Sequence, residues 1–334
     1  MKLDSGLTAR GMLCLRILAV ATMALAHCSA FAADRIRIAA QKTGTLAWEL
    51  DVIRAHGLDR KANLDIETTE LASTEAGQIA LSGGSADLIL SDWLWVARER
   101  ALGDDLVFYP YSSTLGAVMV PQNSPIRTIA DLKGKRLGVA GGPLDKSWLL
   151  LQALARRSAI DLKARADVAY GAPPLLSAMA LQGRTDATLT FWNFCVGLEA
   201  KGMRRAITIA DVMKQLGASG PVAMVGYVFH AGWAQHNRAL LERFLAVTSQ
   251  AKKILADSPA DWQRLAPRIG VSTDAALRLY RRRYVEGIPN RPLADEVADA
   301  QALYRVLADI GGSDLVGQAH QLDPGTFYRA GPGE

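Results

Sequence analysis

Cysteine is almost missing from this 334-residue chain. It has three, Cys14, Cys28 and Cys195, and the first two fall in an N-terminal stretch that reads as an address rather than as fold. Arg10 and Arg16 flank or precede an apolar run, Ile17 to Ala26, and Ala30-Phe31-Ala32 supplies the small-x-small pattern that signal peptidase reads. Residues 1–33 are therefore expected to be a cleavable signal peptide and the mature protein to be periplasmic. Leu25-Ala26-His27-Cys28 half-resembles a lipidation site, but His27 stands where a small residue is needed. Cys195 alone would survive cleavage, so no intramolecular disulfide can brace the exported chain, and its stability must come from apolar burial. A lone cysteine after an apolar run is expected to be an inert small hydrophobe. Long hydrophobic runs are missing too: Ile17 to Ala26 falls well short of the roughly 20 residues that a spanning helix needs.

Neither sign of charge dominates. Lys and Arg number 38 against 33 Asp and Glu, and losing Lys2, Arg10, Arg16 and Asp4 with the signal takes the formal charge from +5 to +3. No basic stripe interleaved with aromatics appears, which argues against nucleic acid as a partner. Of the five histidines, His56, His230, His236 and His320 lie beyond the signal, none in an HExxH spacing, and CxxC and GxSxG are absent. Ser249-Gln250-Ala251-Lys252 matches SxxK without the motifs that accompany it in acyl-enzymes. Gly141 to Ser147 loosely follows a phosphate loop, but Asp145 replaces the glycine before the lysine, so an NTPase is rejected. Catalytic residues, metal and cofactor are all expected to be none.

What the chain does have is an echo of itself at about one hundred residues. Ile36 to Ala40 runs into Gln41-Lys42-Thr43-Gly44-Thr45 and a helical pattern; Arg136 to Ala140 runs into Gly141-Gly142-Pro143-Leu144-Asp145 and another. Later, Ala80-Leu81-Ser82-Gly83-Gly84-Ser85-Ala86-Asp87 matches Ala180-Leu181-Gln182-Gly183-Arg184-Thr185-Asp186-Ala187, each a helix stopped by glycine before a buried strand. Trp48 and Trp148 recur early in matching helices, and Trp93 and Trp192 recur just past matching strands. This predicts an α/β protein of two similar lobes joined by a two-strand hinge, with a cleft where the strand ends meet. Residues 34–115 open the first lobe, 116–230 form the second, and 231–334 return to the first as helices (Asn237–Ala256, Pro259–Arg268, Thr273–Tyr284 and Leu293–Ile310) and a surface tail. Tyr109–Pro121 and Val222–His230 are read as paired crossing strands.

With those segments in view, the chain resembles the periplasmic substrate-binding proteins of the nitrate, sulfonate and taurine class of ABC importers. The resemblance rests on Ile38-Ala39-Ala40-Gln41-Lys42-Thr43-Gly44-Thr45-Leu46, and on Val120 to Ile126 running into Ile129-Ala130-Asp131-Leu132-Lys133-Gly134-Lys135-Arg136. It covers roughly Arg35 to Lys253. It implies a type II periplasmic-binding-protein fold and capture of a small molecule, a sulfonate- or taurine-like organic anion or zwitterion. It also implies delivery to an ABC permease by a monomeric binder rather than an enzyme. The alternative function is a periplasmic enzyme or redox-system accessory protein on the same fold.

The candidate ligand residues follow from the strand ends. Gln41, Lys42, Thr43 and Gly44 precede a helix N-terminus whose backbone N–H groups suit an anion. Gly141, Gly142, Leu144 and Asp145 form the matching loop, where Asp145 either caps its helix or meets a cation. Asp92 with Trp93, and Trp192 with Asn193, are expected to face each other across the cleft, the rings sandwiching a ligand body and the polar groups fixing its ends. Asp92 has a second role open to it as an N-cap, and the tryptophans have one as core, Trp48 and Trp148 more than Trp93 and Trp192, which lie past strand ends. Thr114, at the hinge, completes the set.

Overall fold

The computed structural model describes residues 33–330; the expected signal peptide lies, but for Ala33, outside them. In chain order the elements are β1 (Asp34–Gln41), α1 (Thr45–His56), α2 (Leu58–Lys61), β2 (Leu64–Leu71), α3 (Thr74–Ser82), β3 (Leu88–Ser91), α4 (Trp93–Ala101) and β4 (Leu106–Ser112). Then come β5 (Ala117–Pro121), β6 (Arg136–Ala140), α5 (Lys146–Arg157), α6 (Leu162–Arg165), β7 (Asp167–Gly171), α7 (Pro173–Leu181), β8 (Ala187–Thr190), α8 (Trp192–Glu199), β9 (Met203–Thr208) and α9 (Ile209–Leu216). The chain finishes with β10 (Val225–His230), α10 (Ala231–His236), α11 (Arg238–Asp257), α12 (Pro259–Ile269), α13 (Asp274–Glu286) and α14 (Leu293–Val316).

Two five-stranded sheets share one plan, ordered β2-β1-β3-β10-β4 and β7-β6-β8-β5-β9. In each, the echoed strands run parallel, Ile38 beside Leu88 and Leu137 beside Ala187. The echo extends to a side-chain clamp. Arg37 reaches the carboxylate of Asp87 and donates to the Gly84 carbonyl, and Arg136 does the same with Asp186 and Gly183. Gly84 and Gly183 both take φ near +70°, values of +70° and +69°, where a side chain would be strained. Each clamp therefore fixes the start of the lobe's first strand to the turn before its third. Strands β3, β5 and β8 are almost wholly buried, as expected where helices cover both faces of a sheet.

The chain crosses between sheets twice. The first crossing links β4 to β5 through Ser113 to Gly116, and the second links α9 to β10 through Gly217 to Met224. Strand β10 pairs antiparallel with β4, as the crossing-strand reading anticipated, but it does so inside the first sheet, whereas that reading ended the second lobe at 230. Of the helices after Ala231, α11 packs against α1 of the first lobe, and α13 packs against both α11 and α8 of the second lobe. Helix α14 also packs along α5 and α9 of the second lobe while contacting α4 of the first. Its Leu303, Tyr304 and Leu307 join Trp93 and Leu94 from one lobe and Trp148, Leu150 and Met213 from the other in a single apolar cluster. The tail is likewise no loose strap. Phe327 bridges to Phe108 with their rings 5.4 Å apart, and the Tyr328 N–H donates to the Phe108 carbonyl.

The start of α14 also holds the second crossing. Asp299 accepts from the N–H groups of Ser219 and Gly220 at 3.0 and 3.3 Å and from the Ser219 hydroxyl, and it pairs with Arg291 at 2.8 Å. Glu296 accepts from the Ala223 N–H at 3.0 Å, and the Trp93 indole donates to the Ala223 carbonyl at 3.1 Å. Burial alone would push the Asp299 carboxyl up, but the Ser219 and Arg291 donors outweigh it and hold it below the usual range. Replacing Asp299 with Ala breaks the largely buried Arg291 pair and leaves the part-buried Ser219 and Gly220 donors without it, and the expected cost is about 3–5 kcal/mol in urea unfolding. The Asp299 contribution is complete above the unfolded-state pKa of about 3.9 and disappears as pH falls through its lower folded value. A loss under about 1 kcal/mol at neutral pH, the range of a typical net hydrogen bond, would contradict this role.

Cys195 behaves as the sequence suggested. It is fully buried on α8, its thiol donating to the Thr190 carbonyl at 3.3 Å, and burial pushes its pKa up to about 12. In a thiol-reagent assay at pH 8, folded residues 34–334 are expected to stay unlabelled and the same chain unfolded in urea to label once. Rapid labelling of the folded protein would overturn this placement.

Candidate functional site

The strand ends meet as expected, but they bring together a different set of side chains. At the end of β3, Asp92 is the N-cap of α4: one carboxylate oxygen accepts from the Trp95 N–H at 2.9 Å. The other accepts from the Lys146 ammonium at 2.9 Å, and Lys146 opens α5 in the opposite lobe. Asp145 caps α5 through the Trp148 N–H, and burial pushes its carboxyl up against the pull of Lys146. Burial would lower the Lys146 ammonium, but Asp92 and Asp145 together hold it above its usual value. Both of these helix N-termini are thus closed by their own carboxylates, and the central cleft is spanned by an ion pair.

Other N-termini are left open. Gly44 before α1 and Phe191 before α8 provide no side-chain cap, so their first N–H groups remain donors. Helix α7 is uncapped too, but it begins with Pro173 and Pro174, which have no N–H to offer. A flanking cavity of about 280 Å³ is lined by one face each of α7 and α8, from their first turns onward, and by Thr43 just before α1; neither Asp92 nor Lys146 lines it. From the first lobe it is lined by Thr43, Trp48, Arg268, Ile269 and Tyr280. The second lobe contributes Pro174, Ser177, Leu181, Asn193, Phe194, Gly197, Leu198 and Lys201. Arg268 is pinned by Asp51 and Glu70, at 2.6 and 3.1 Å, and also donates to the Lys42 carbonyl. Lys201 is exposed and has no ion-pair partner among the described residues. No carboxylate lines the cavity. The lobes are also tied directly: the Tyr280 hydroxyl donates to the Asn193 carbonyl at 2.9 Å, and Arg283 of α13 pairs with Glu199 of α8 at 2.9 Å.

Each residue singled out from sequence now has a place. Thr43 and Asn193 line the cavity. Gln41 donates to the Thr74 hydroxyl and its carbonyl accepts from Gly44, shaping the loop, while Lys42 is solvent-exposed. Gly141 takes φ +84° and donates to the Gly171 carbonyl; Gly142 and Leu144 stand near it, Leu144 exposed. Trp192 is half-buried, its ring edge-on to Trp48 at 5.9 Å and to Tyr280 at 6.4 Å. The expected sandwich of Trp93 against Trp192 is therefore corrected. Trp93 is fully buried beside Tyr304 and unavailable to a ligand, and the tryptophan that meets Trp192 across the lobes is Trp48. Thr114 donates to the Arg283 carbonyl and packs so closely on Gly287 that a Cβ there would lie 1.5 Å from its hydroxyl. That contact braces the first crossing. Nothing local in the sequence marks Lys146, Lys201, Arg268 or Tyr280; Lys146, Arg268 and Tyr280 matter through neighbours far along the chain, and Lys201 through its place in the cavity lining.

Histidine and acidic side chains gather elsewhere. Asp104, Asp105 and His230 lie together at the Leu106 end of β4, the opposite end from the crossing, with Asp105 accepting from the Gly232 N–H.

Comparison with known proteins fits this architecture. Residues 54–261 match the family model described as NMT1/THI5 like. A protein of Escherichia coli (strain K12) named for binding aliphatic sulfonates is 28% identical over 177 residues, and the match spans 52% of each chain, about half the length of that relative. Among solved structures, the periplasmic aliphatic sulphonate binding protein SsuA of E. coli superposes with a TM-score of 0.71 at 21% identity, over 89% of this chain and 92% of that one. The alkanesulfonate-binding protein SsuA of Xanthomonas axonopodis pv. citri, bound to MOPS, gives 0.67 at 21% identity, over 87% and 97%. At such identities the superpositions establish the fold, two α/β lobes of type II periplasmic-binding-protein kind. The family match carries the relationship: the chain belongs to the NMT1/THI5-like family.

Proposed function

We propose that the exported chain works in the periplasm, capturing a small organic anion or zwitterion of the sulfonate or taurine kind between its lobes and delivering it to an ABC permease. The observation that carries this reading is the flanking cavity. Both lobes line it, its charged lining residues, Lys201 and Arg268, are cationic, and Trp48, Phe194, Leu198 and Tyr280 provide an apolar body. A pocket of about 280 Å³ is far larger than a bare inorganic oxyanion needs, and it matches an anionic head carried on a short organic body. Lys201 is the cation with its charge unspent, and the lining residues Thr43 and Asn193 adjoin the uncapped starts of α1 and α8, whose sign suits an anion. The names of the E. coli and Xanthomonas relatives point to the same chemistry. The rival reading, an enzyme or redox-accessory protein, needs a reactive group in the pocket. The lining residues offer hydroxyls and cations but no carboxylate, imidazole or thiol.

Titration calorimetry of residues 34–334 with butanesulfonate, taurine and nitrate tests the proposal. One organic sulfonate is expected to bind with 1:1 stoichiometry, and nitrate is not. Lys201→Met is expected to weaken that binding about tenfold, in line with the loss of one charge-assisted hydrogen bond. Failure of every organic anion to bind, or an affinity that Lys201→Met leaves untouched, would refute this assignment of the pocket.

A further inference from the structure

The Asp92–Lys146 pair stands apart from that cavity, and its geometry assigns it different work. Both carboxylate oxygens of Asp92 are engaged, one by the Trp95 N–H of its own helix and one by Lys146 of the other lobe. The side chains are 14% and 28% exposed, so the pair is largely screened from water without being sealed. Each partner is also held from behind. Trp93, next to Asp92, is buried and bonded to Ala223 of the second crossing, and Trp148, two residues after Lys146, is buried in the cluster that α14 shares with both lobes. Neither residue lines the flanking cavity.

We propose that Asp92 and Lys146 are positioning residues: they latch the lobes at the register in which the flanking cavity forms, and they do not contact the ligand. The inference rests on the ligand occupying that cavity. It departs from the simpler expectation that a carboxylate at a strand end selects a cationic group on the ligand. A partly buried ion pair between two bodies contributes through coupling, so removing either partner removes the whole effect. The bodies are already hinged along α14, so the latch has only to set the angle between them.

The test combines small-angle scattering without any added ligand and calorimetry with butanesulfonate, on Asp92→Asn, Lys146→Met and the double variant of residues 34–334. Asn retains the N-cap of α4, so the helix start is kept in all three, and thermal melts confirm folding. The latch predicts that all three variants expand by the same amount in scattering and lose affinity equally, about tenfold, with the double variant no worse than either single. Unchanged scattering in either single variant would overturn it. So would affinity losses that add in the double variant, as two independent ligand contacts would. The scattering arm needs no ligand, so a failure of butanesulfonate to bind would count against the proposed function while leaving the latch to be decided by expansion alone.

Discussion

Helix α14 lying across both lobes is the constraint from which the rest of this structure follows. A two-lobed protein whose lobes met only at two crossing strands would have two separate cores. Here Leu303, Tyr304 and Leu307 fuse them along one edge, and Asp299 and Glu296 at the start of the same helix satisfy the backbone of the second crossing. A crossing segment is where backbone N–H groups most readily go unpaired, and leaving them so would cost more than the carboxylates' own desolvation. The lobes also meet where α13 reaches α8 through Tyr280 and Arg283.

Electrostatics divides the interlobe space in two. The central strand ends are filled by paired charge, Asp92 with Lys146 and Asp145 beside them, so an anion arriving there meets two carboxylates for one ammonium. The flank has the opposite balance: Arg268 already matched by Asp51 and Glu70, Lys201 unmatched, and two helix starts with donors to spare.

The hundred-residue echo made the architecture legible because both lobes repeat the same strand, glycine turn and strand, down to the Arg37–Asp87 and Arg136–Asp186 clamps. Helix starts were also readable, since Asp92 and Asp145 cap as their residue type predicts. The candidate site was legible only in part. Thr43 and Asn193 reach the cavity, but the sequence paired Trp192 with the wrong tryptophan. A ring just past a strand can face a cleft or a helix, and in Trp93 the choice is made by Tyr304, more than two hundred residues away in the chain. The run Trp93-Leu94-Trp95-Val96-Ala97, apolar at every position, was the local hint that this helix start is buried. Lys146 and Tyr280 act through partners 54 and 87 residues distant, a separation that no local periodicity encodes.

The most direct measurement is a crystal structure of residues 34–334 grown with butanesulfonate. The account predicts the sulfonate in the flanking cavity beside Lys201, its alkyl chain against Trp48 and Phe194, with the Asp92–Lys146 pair intact. A ligand found between Asp92 and Lys146, with that pair broken and the flank empty, would contradict it.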